Sequence, residues 1–360
     1  GGKGFSMMSA FLPEGLAYAE GACAKLLDGP GGAKIGYLKV TGGMDAATTK
    51  AFHAAFDGLK GMKALLLDCR AMGGGGDAEA WEMCGRLFSR ETPNGEGRSL
   101  VPTGAWQFDG PVVLLQDEGE VSSAETFTWA LSETGRVVSV GRPTGGWGII
   151  PTQKDLPSGL GRIRLGVNAR GTPIKQVQTE GVGWPADCRV PYGPVLCALP
   201  DAPREIGTVA LAAMLAGASA EETRKAFHAL GEGDVAAFRT FGKKHAAKAK
   251  GTDFERLAKL LLDDLKGEIA LEAAALRAEE AVVPDAAGAA RRLPRLKARA
   301  KAAGVGVGEL EAALAALKSE AAAQEAWLAC PAPFDAAAPA TKAWRTKHGA
   351  SMLARHLNAK

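Results

Sequence analysis

The stretch Ala64-Leu65-Leu66-Leu67-Asp68-Cys69-Arg70-Ala71-Met72-Gly73-Gly74-Gly75-Gly76 decides the fold. Ala64 to Cys69 is nearly all apolar, and a run that short and that uninterrupted is what a strand covered on both faces needs. It empties into Arg70 and then four consecutive glycines, after which Ala78 to Phe88 has a helical pattern. The same arrangement recurs on both sides. Upstream, Lys34 to Val40 reads as a strand and Ala46 to Leu59 as a helix with Ala51, Phe52, Ala55, Phe56 and Leu59 on its apolar face. Downstream come a strand over Val112 to Gln116, a helix over Ala124 to Thr134 and a strand over Val137 to Gly141. Strands alternating with helices predict an α/β domain with crossover connections. Pro151 to Val190 is punctuated by Gly and Pro, which predicts short hairpins instead.

The chain has 360 residues, 46% apolar and 23% charged, with a net charge of +3. That apolar fraction excludes a disordered chain, and no apolar run reaches the ~18–20 residues that span a bilayer. The charge balance gives no reason to expect a nucleic-acid partner. The 47 glycines exceed the roughly 25 that ordinary usage of about 7% would give, and roughly three-quarters of them precede residue 200. From about Pro203 the chain becomes Ala-rich. Leu257, Leu260, Leu261 and Leu265 recur at helical spacing, as do Leu310, Leu314 and Leu317, and Ser219-Ala220-Glu221-Glu222 resembles a helix start. Four to seven helices are expected there. The basic run from Arg291 to Lys301 reads as a solvated helix face.

The expected organisation is an N-terminal remnant or linker over 1–33, an α/β domain over 34–216 and a helical region over 217–360. The opening Gly1-Gly2-Lys3-Gly4, with neither an initiator Met nor a signal segment, is expected of a processed, engineered or partial chain. The six cysteines show no metal-binding spacing, and nothing implies a metal or a cofactor. Cys188 and Cys197, flanking a Pro-Tyr-Gly-Pro turn, are the one pair placed to test for a disulfide.

Chemistry is expected where Gly-rich or polar junctions follow apolar strands, because the carboxyl ends of strands are where α/β sites collect. The Gly73 to Gly76 run can turn backbone N–H groups toward a ligand with no Cβ in the way, which suits an oxyanion hole or a phosphate cradle. It is not a P-loop, since no Gly-Lys-Ser/Thr follows. The second junction is Asp117-Glu118-Gly119-Glu120-Val121-Ser122-Ser123-Ala124-Glu125. Ser122 with Glu125 three residues on makes a capping box; it also suits a nucleophile whose oxyanion would meet the Ser123 N–H and the glycines after Asp68. The third, Gly141-Arg142-Pro143-Thr144-Gly145-Gly146-Trp147-Gly148, supplies a Gly-lined wall.

Taken together, the Ile35 to Val40 strand, Asp68 to Gly76, the Ser122-Ser123-Ala124-Glu125 segment, Val140 to Gly146 and Glu180-Gly181-Val182-Gly183-Trp184-Pro185-Ala186-Asp187 resemble the tail-specific, or C-terminal-processing, serine peptidases. Five motifs stand in the family's order over roughly residues 34 to 215. The resemblance implies a crotonase-like or ClpP-like α/β fold and a polypeptide substrate.

Residue by residue, Ser122 matches the family nucleophile, Gly74 and Gly75 its oxyanion-hole glycines, and Glu125, Thr144 and Gly145 its site-lining residues. Trp147 stands where the processing branch has a catalytic Lys, so a Ser-Lys dyad is excluded there, because indole has no basic nitrogen. The tricorn-core branch, which includes retinoid-binding proteins of the eye, lacks that Lys. In its peptidases a Glu, matched by Glu180, pairs with a His from an N-terminal segment. Residues 1 to 34 contain no His, and His53, His228, His245, His348 and His356 read as surface or packing residues, so the resemblance implies a base upstream of Gly1. Met72 replaces the family's Asn, Glu133 stands where Asp is common, and no PDZ module is recognisable before Ile35.

The resemblance leaves two readings. One is a serine endopeptidase. The other is an inactive relative that binds peptides or an apolar ligand in the same cleft, which Trp147 would favour. A remote third is acyl-CoA chemistry on the shared fold. For the helical region the expectation is gating, dimerisation or docking of a partner. Bacterial relatives work mostly in the cell envelope or outside it, and tricorn-like ones in the cytosol.

Overall fold

Six strands form the main sheet of the computed structural model, which describes residues 12–95, 98–148, 151–166, 172–190, 201–249, 252–277, 286–306, 308, 322–331, 337–349, 351 and 353–354. In spatial order they are β1 (Ala22–Asp28), β2 (Lys34–Val40), β3 (Ala64–Asp68), β6 (Val112–Gln116), β7 (Val138–Gly141) and β10 (Cys188–Arg189). All neighbours pair in parallel except β1, which runs antiparallel to β2 with Ala22 opposite Val40 and Asp28 opposite Lys34. The antiparallel edge strand lies within the segment expected to be a remnant or linker. Its sequence, Ala-Cys-Ala-Lys-Leu-Leu-Asp, carries no clean period, which hid it from pattern reading. Two further ribbons are separate: β4 (Thr92–Gly95) with β5 (Arg98–Leu100), and β8 (Pro151–Asp155) with β9 (Arg162–Gly166).

Alternation along the central strands sorts the two faces. Leu65, Leu67, Val112 and Leu114 join one core with Phe52 and Phe56 of α1 (Ala46–Asp57), Met83 of α2 (Asp77–Cys84) and Phe127 and Leu131 of α3 (Ser123–Glu133). Leu66, Val113 and Leu115 face the other way, onto α4 (Ala202–Leu215). There Gly207 sits so close that an added Cβ would lie 2.9 Å from Leu66, 3.1 Å from Leu115 and 3.2 Å from Val113. Helices on both faces account for the unbroken apolar runs. The α2 segment ends sooner than its apolar pattern suggests. Gly85 packs where an added Cβ would lie 2.2 Å from the Val101 carbonyl oxygen, and the chain tightens into a 3₁₀ turn over Gly85–Leu87.

At the carboxyl end of β3 a buried ionic cluster anchors the Gly-rich loop. Asp68 accepts from Arg70 Nε (2.9 Å) and Nη2 (2.6 Å) and from Tyr37 Oη (2.6 Å), with Lys39 Nζ at 3.3 Å. Arg70 also forks onto Asp201, the N-cap of α4, at 2.7 and 3.1 Å. Arg204, nearer the surface, also pairs with Asp201 at 3.4 Å. Burial alone would raise the Asp68 carboxyl, but Arg70 and Lys39 hold it well below the usual carboxylate range.

These elements and the helices α5 (Ala220–Gly231), α6 (Val235–Ala246), α7 (Phe254–Arg277), α8 (Ala286–Ala302) and α9 (Pro339–His348) divide between two compact units. One comprises the residues up to 190, 201–231 and 237–258, the other 232–236 and the residues from 259 onward. In the first, Phe227, Phe238, Phe241 and Phe254 pack as an aromatic cluster with centroids 5.2–6.3 Å apart. In the second, Trp327 stacks on Trp344 at 4.8 Å, and the Trp344 indole donates to the Ala323 carbonyl. Leu310, Leu314, Leu317 and Cys197 lie outside the described residues, so the Cys188–Cys197 expectation does too.

Replacing one member of the β3 cluster strands its partners. Arg70→Met leaves Asp68 and Asp201 buried and short of a cation, and urea denaturation should show a loss of about 3–5 kcal/mol.

Candidate functional site

Two residues with side chains adopt left-handed backbone at the carboxyl ends of neighbouring strands: Ala71 after β3 (φ 59°) and Ser122 after β6 (φ 60°, ψ −130°). Such conformations cost of order 1–3 kcal/mol and persist only where surrounding bonds over-determine them. Those bonds are visible here. Asp117 Oδ1 accepts from the N–H groups of Ala71 (2.8 Å) and Gly119 (3.0 Å), which ties the loop after β3 to the loop after β6. Ser122 is held from below by Glu125.

Glu125, 1% exposed, receives four donors on one carboxylate. Oε1 accepts from Thr144 Oγ1 (2.5 Å) and the Gly146 N–H (2.9 Å), and Oε2 from the N–H groups of Trp147 (2.7 Å) and Ser122 (3.2 Å). Thr144 Oγ1 in turn accepts from the Trp184 N–H at 2.6 Å. The Gly145 N–H donates to the Glu120 carbonyl at 2.7 Å and the Gly181 N–H to the Gly146 carbonyl at 2.8 Å. Gly183, at φ 73°, lies where an added Cβ would fall 1.9 Å from the Thr144 carbonyl oxygen. The loops 117–125, 141–148 and 179–184 are thereby one bonded assembly.

The Gly-rich loop closes the other side. Gly75 bridges Met44 in parallel, with the Met44 N–H on the Gly74 carbonyl (3.1 Å) and the Gly76 N–H on the Met44 carbonyl (2.8 Å). The Gly75 carbonyl accepts from Ser123 Oγ at 2.8 Å. Extended backbone turns a residue's N–H and C=O to the same edge, so the Gly75 N–H faces the Ser122–Ser123 turn. Gly74 packs directly on Ser122: an added Cβ would lie 2.5 Å from Ser122 Cβ and 3.0 Å from its Oγ. Among the described residues the N–H groups of Gly74, Gly75 and Ser123 have no acceptor, and Ser123 opens α3, where helix N–H groups are unpaired and the dipole is positive.

The structure thus brings Gly74, Gly75, Ser122 and Ser123 to one turn, with Ser122 solvent-exposed and Ser123 buried beneath it. Glu125, Thr144, Gly145 and the Trp147 backbone form the wall behind. The Trp147 side chain is 69% exposed. Glu180 is half-buried in the turn that Gly181 joins to Gly146. Three of the described histidines have packing partners: His53 with Glu82 and Arg86, His245 with Glu222 and His348 stacked on Trp344. Glu133 receives the N–H groups of Ile174 and Lys175 and the Thr172 hydroxyl, so it shapes the 172–175 loop. Among the described residues no group of three or more His, Cys, Asp and Glu side chains is placed to hold a metal ion.

Sequence reasoning passed over Glu120, two residues before Ser122 and fully buried. Its Oε2 accepts from Thr128 Oγ1 at 2.6 Å, while Oε1 is buried without a partner among the described residues. Burial pushes this carboxyl well above the usual range, with Thr128 pulling the other way and Asp117 adding to the rise. Its one signal in the sequence is an acid beside an apolar residue just ahead of a helix, which surface acids share. The sign of its pH effect follows. Above about pH 4.3 the unfolded chain ionises Glu120 while the folded chain keeps the proton, so its contribution is complete below that pH and declines above it. Glu120→Gln should therefore be more stable than the wild type at neutral pH, by a margin that grows as the pH rises above about 4.3; denaturation midpoints against pH measure it.

Residues 34–190 match the model of peptidase family S41. The match falls on the α/β region that carries the motifs resembling tail-specific serine peptidases. Among solved structures, the chain is similar to the photosystem II D1 C-terminal processing protease at 25% identity, over 52% of this chain and 51% of that one, with a TM-score of 0.39. It is similar to mature CPAF at 15% identity, over 51% of this chain and 53% of that one, with a TM-score of 0.43. The tricorn protease matches at 20% identity, over 53% of this chain and 18% of that one, with a TM-score of 0.41. The chain spans about half the length of the first of these structures.

Proposed function

We propose that the chain is a serine endopeptidase of the tail-specific type, with Ser122 as nucleophile on a crotonase-like α/β region and the helices of 217–360 serving to gate substrate or dock a partner. The observation that carries this reading is the left-handed backbone of Ser122, which lifts an exposed hydroxyl beside three N–H groups that have no acceptor among the described residues. Strained serines at a strand-to-helix turn are what acyl-transfer chemistry needs, because the hydroxyl must project past its own backbone.

In this reading Ser122 Oγ adds to the scissile carbonyl carbon and its proton passes to a histidine carried N-terminal to Gly1, which Glu180 orients. The oxyanion is met by the N–H groups of Ser123 and of Gly74 or Gly75, aided by the positive end of α3. Collapse of the tetrahedral species breaks the C–N bond, and the amine leaves with the proton held by the base. Water then hydrolyses the acyl-enzyme by the same steps in reverse order of groups. Glu125 is a positioning residue here: it holds the Ser122 N–H and touches no substrate.

A second reading, a relative that binds a peptide or an apolar ligand without cleaving it, is favoured by one observation. Trp147 exposes its indole and Val182 its side chain (64%), and the loops that carry them touch.

Fluorophosphonate labelling separates the two readings. In a protein that carries the upstream segment, the wild type should label and Ser122→Ala should not. Labelling that survives the substitution overturns the assignment of Ser122, and no labelling of either protein favours the binding reading. Gly74→Ala drives a methyl into Ser122 and should slow labelling about 100-fold or more, while circular dichroism reports an unchanged fold.

A further inference from the structure

A cavity of about 470 Å³ lies at the amino end of β6, lined there by Gly110, Pro111 and Val112. Thr134, Gly135 and Arg136, which follow the last turn of α3, line it as well. Ser122 caps the opposite end of α3, and eleven helical residues at ~1.5 Å each place roughly 16 Å of helix between the two. The cavity is thus separate from the site described above, and its volume is in the range that holds a small organic ligand, roughly 300–1,000 Å³.

Its chemistry is set by two guanidinium groups. Arg136 spends Nε on the Leu87 carbonyl and Nη2 on the Phe108 carbonyl, both at 2.5 Å. Among the described residues Nη1 has no hydrogen-bond partner and the group has no carboxylate within salt-bridge distance. Burial pulls its pKa down to about 10, with Asp109 pushing the other way, so it remains a cation in a poorly solvated place. Arg90, exposed at the rim, likewise has no ion-pair partner among the described residues. Asp109 is the one acid among the lining residues, and its Oδ1 already accepts from the Ser89 N–H at 3.2 Å. Arg224, which reaches the Gly135 carbonyl nearby, is neutralised by Glu221 and Asp187. Two guanidinium groups against one carboxylate leave a single positive charge. The uncharged wall is mixed: Leu87, Phe88, Val112 and Met214 give it an apolar part, beside the hydroxyl residues Ser89, Thr92 and Thr134.

We propose that this cavity binds a small monocarboxylate with an apolar tail, its carboxylate between Arg136 Nη1 and Arg90 and its tail against Leu87, Phe88 and Met214. A single negative charge balances the lining, and guanidinium groups favour carboxylate oxygens through charge-assisted hydrogen bonds. A desolvated cation without a counter-ion is costly, so an anion that also fills the apolar space stabilises the site twice over. The same chemistry is offered by a free acid and by the carboxyl terminus of a polypeptide that ends in an apolar residue.

The test uses the full 360-residue chain carrying Ser122→Ala, so that occupancy of the other site by an acyl group plays no part. Hexanoate, hexanamide and a pentapeptide ending in leucine, as free acid and as amide, are titrated by calorimetry and by NMR. Either acid should bind at least about tenfold tighter than its amide. The tighter of the two acids identifies the source. Arg90→Glu, at an exposed position that leaves the fold intact, should weaken binding about tenfold, and Ala220→Leu, which fills the wall, should do the same with no change of charge. Amides that bind as tightly as acids, an affinity indifferent to Arg90→Glu, or no binding up to about 10 mM each overturn the proposal.

Discussion

The constraint on which the rest depends is the saturation of one buried carboxylate. Glu125 sits in the first turn of α3 and collects donors from the loop that precedes it and from the loop 141–148, of which only Thr144 contributes a side chain. An ionised carboxylate offers about four lone-pair positions, and here four donors meet it. Removing any one would leave a buried acceptor short, at a cost of about 1–3 kcal/mol, so the loops are fixed together or not at all. Two bonds of 3.2 and 2.7 Å meeting at one oxygen also keep the nitrogens of Ser122 and Trp147 within about 6 Å of each other. Ser122 closes the pair with Glu125: its N–H donates to the Glu125 carboxylate at 3.2 Å and its carbonyl accepts the Glu125 N–H at 2.8 Å, both from left-handed backbone.

The same end of the sheet carries the other polar burden. Asp68 with Arg70, Lys39 and Asp201 forms one ionic cluster behind the Gly-rich loop, and Gln116 at the end of β6 donates to the carbonyls of Arg142 and Trp184 at 2.9 Å each. A parallel sheet covered on both faces has nowhere else to place such groups, because its strands are apolar along their length and only their ends reach loops. Charge is therefore concentrated where the loops must be rigid. The amino ends of the strands, free of that demand, leave the cavity that Arg136 lines.

How much of this could be read in advance follows from the physics of each signal. The alternation of apolar runs with amphipathic helices survives in a single sequence, so β2, β3, β6, β7 and α1 to α3 were legible to within a few residues. Ser122 and Glu125 announce themselves as a capping pair, and the glycines after Asp68 announce close approach of backbone. What the sequence cannot display is a bond made by main chain. The N–H groups of Gly146 and Trp147 on Glu125, and the Met44–Gly75 bridge that turns the Gly-rich loop, depend on tertiary approach and not on side-chain type. Glu120 and Arg136 were invisible for a related reason. Each looks like any charged residue beside a turn, and only burial against a neighbouring element makes it unusual. The strand β1 lacked a period because its edge position exposes parts of both faces, as the mixed burial of Lys25 to Asp28 shows.

Position 147 shows why backbone and side chain have to be argued separately. Its N–H bonds to Glu125, a task any residue but proline performs, so the wall behind Ser122 does not depend on what side chain stands there. The side chain itself projects outward, and an indole can donate a proton but never accept one. In the proposed mechanism the proton from Ser122 Oγ therefore goes to a different group, and the backbone bond at position 147 does not depend on which. The indole and the Val182 side chain are both exposed, on loops that meet where Gly146 packs against Val182 and Gly183. Position 147 thus serves the wall behind Ser122 through its backbone, committed to Glu125, while its ring adds apolar surface that is open to solvent.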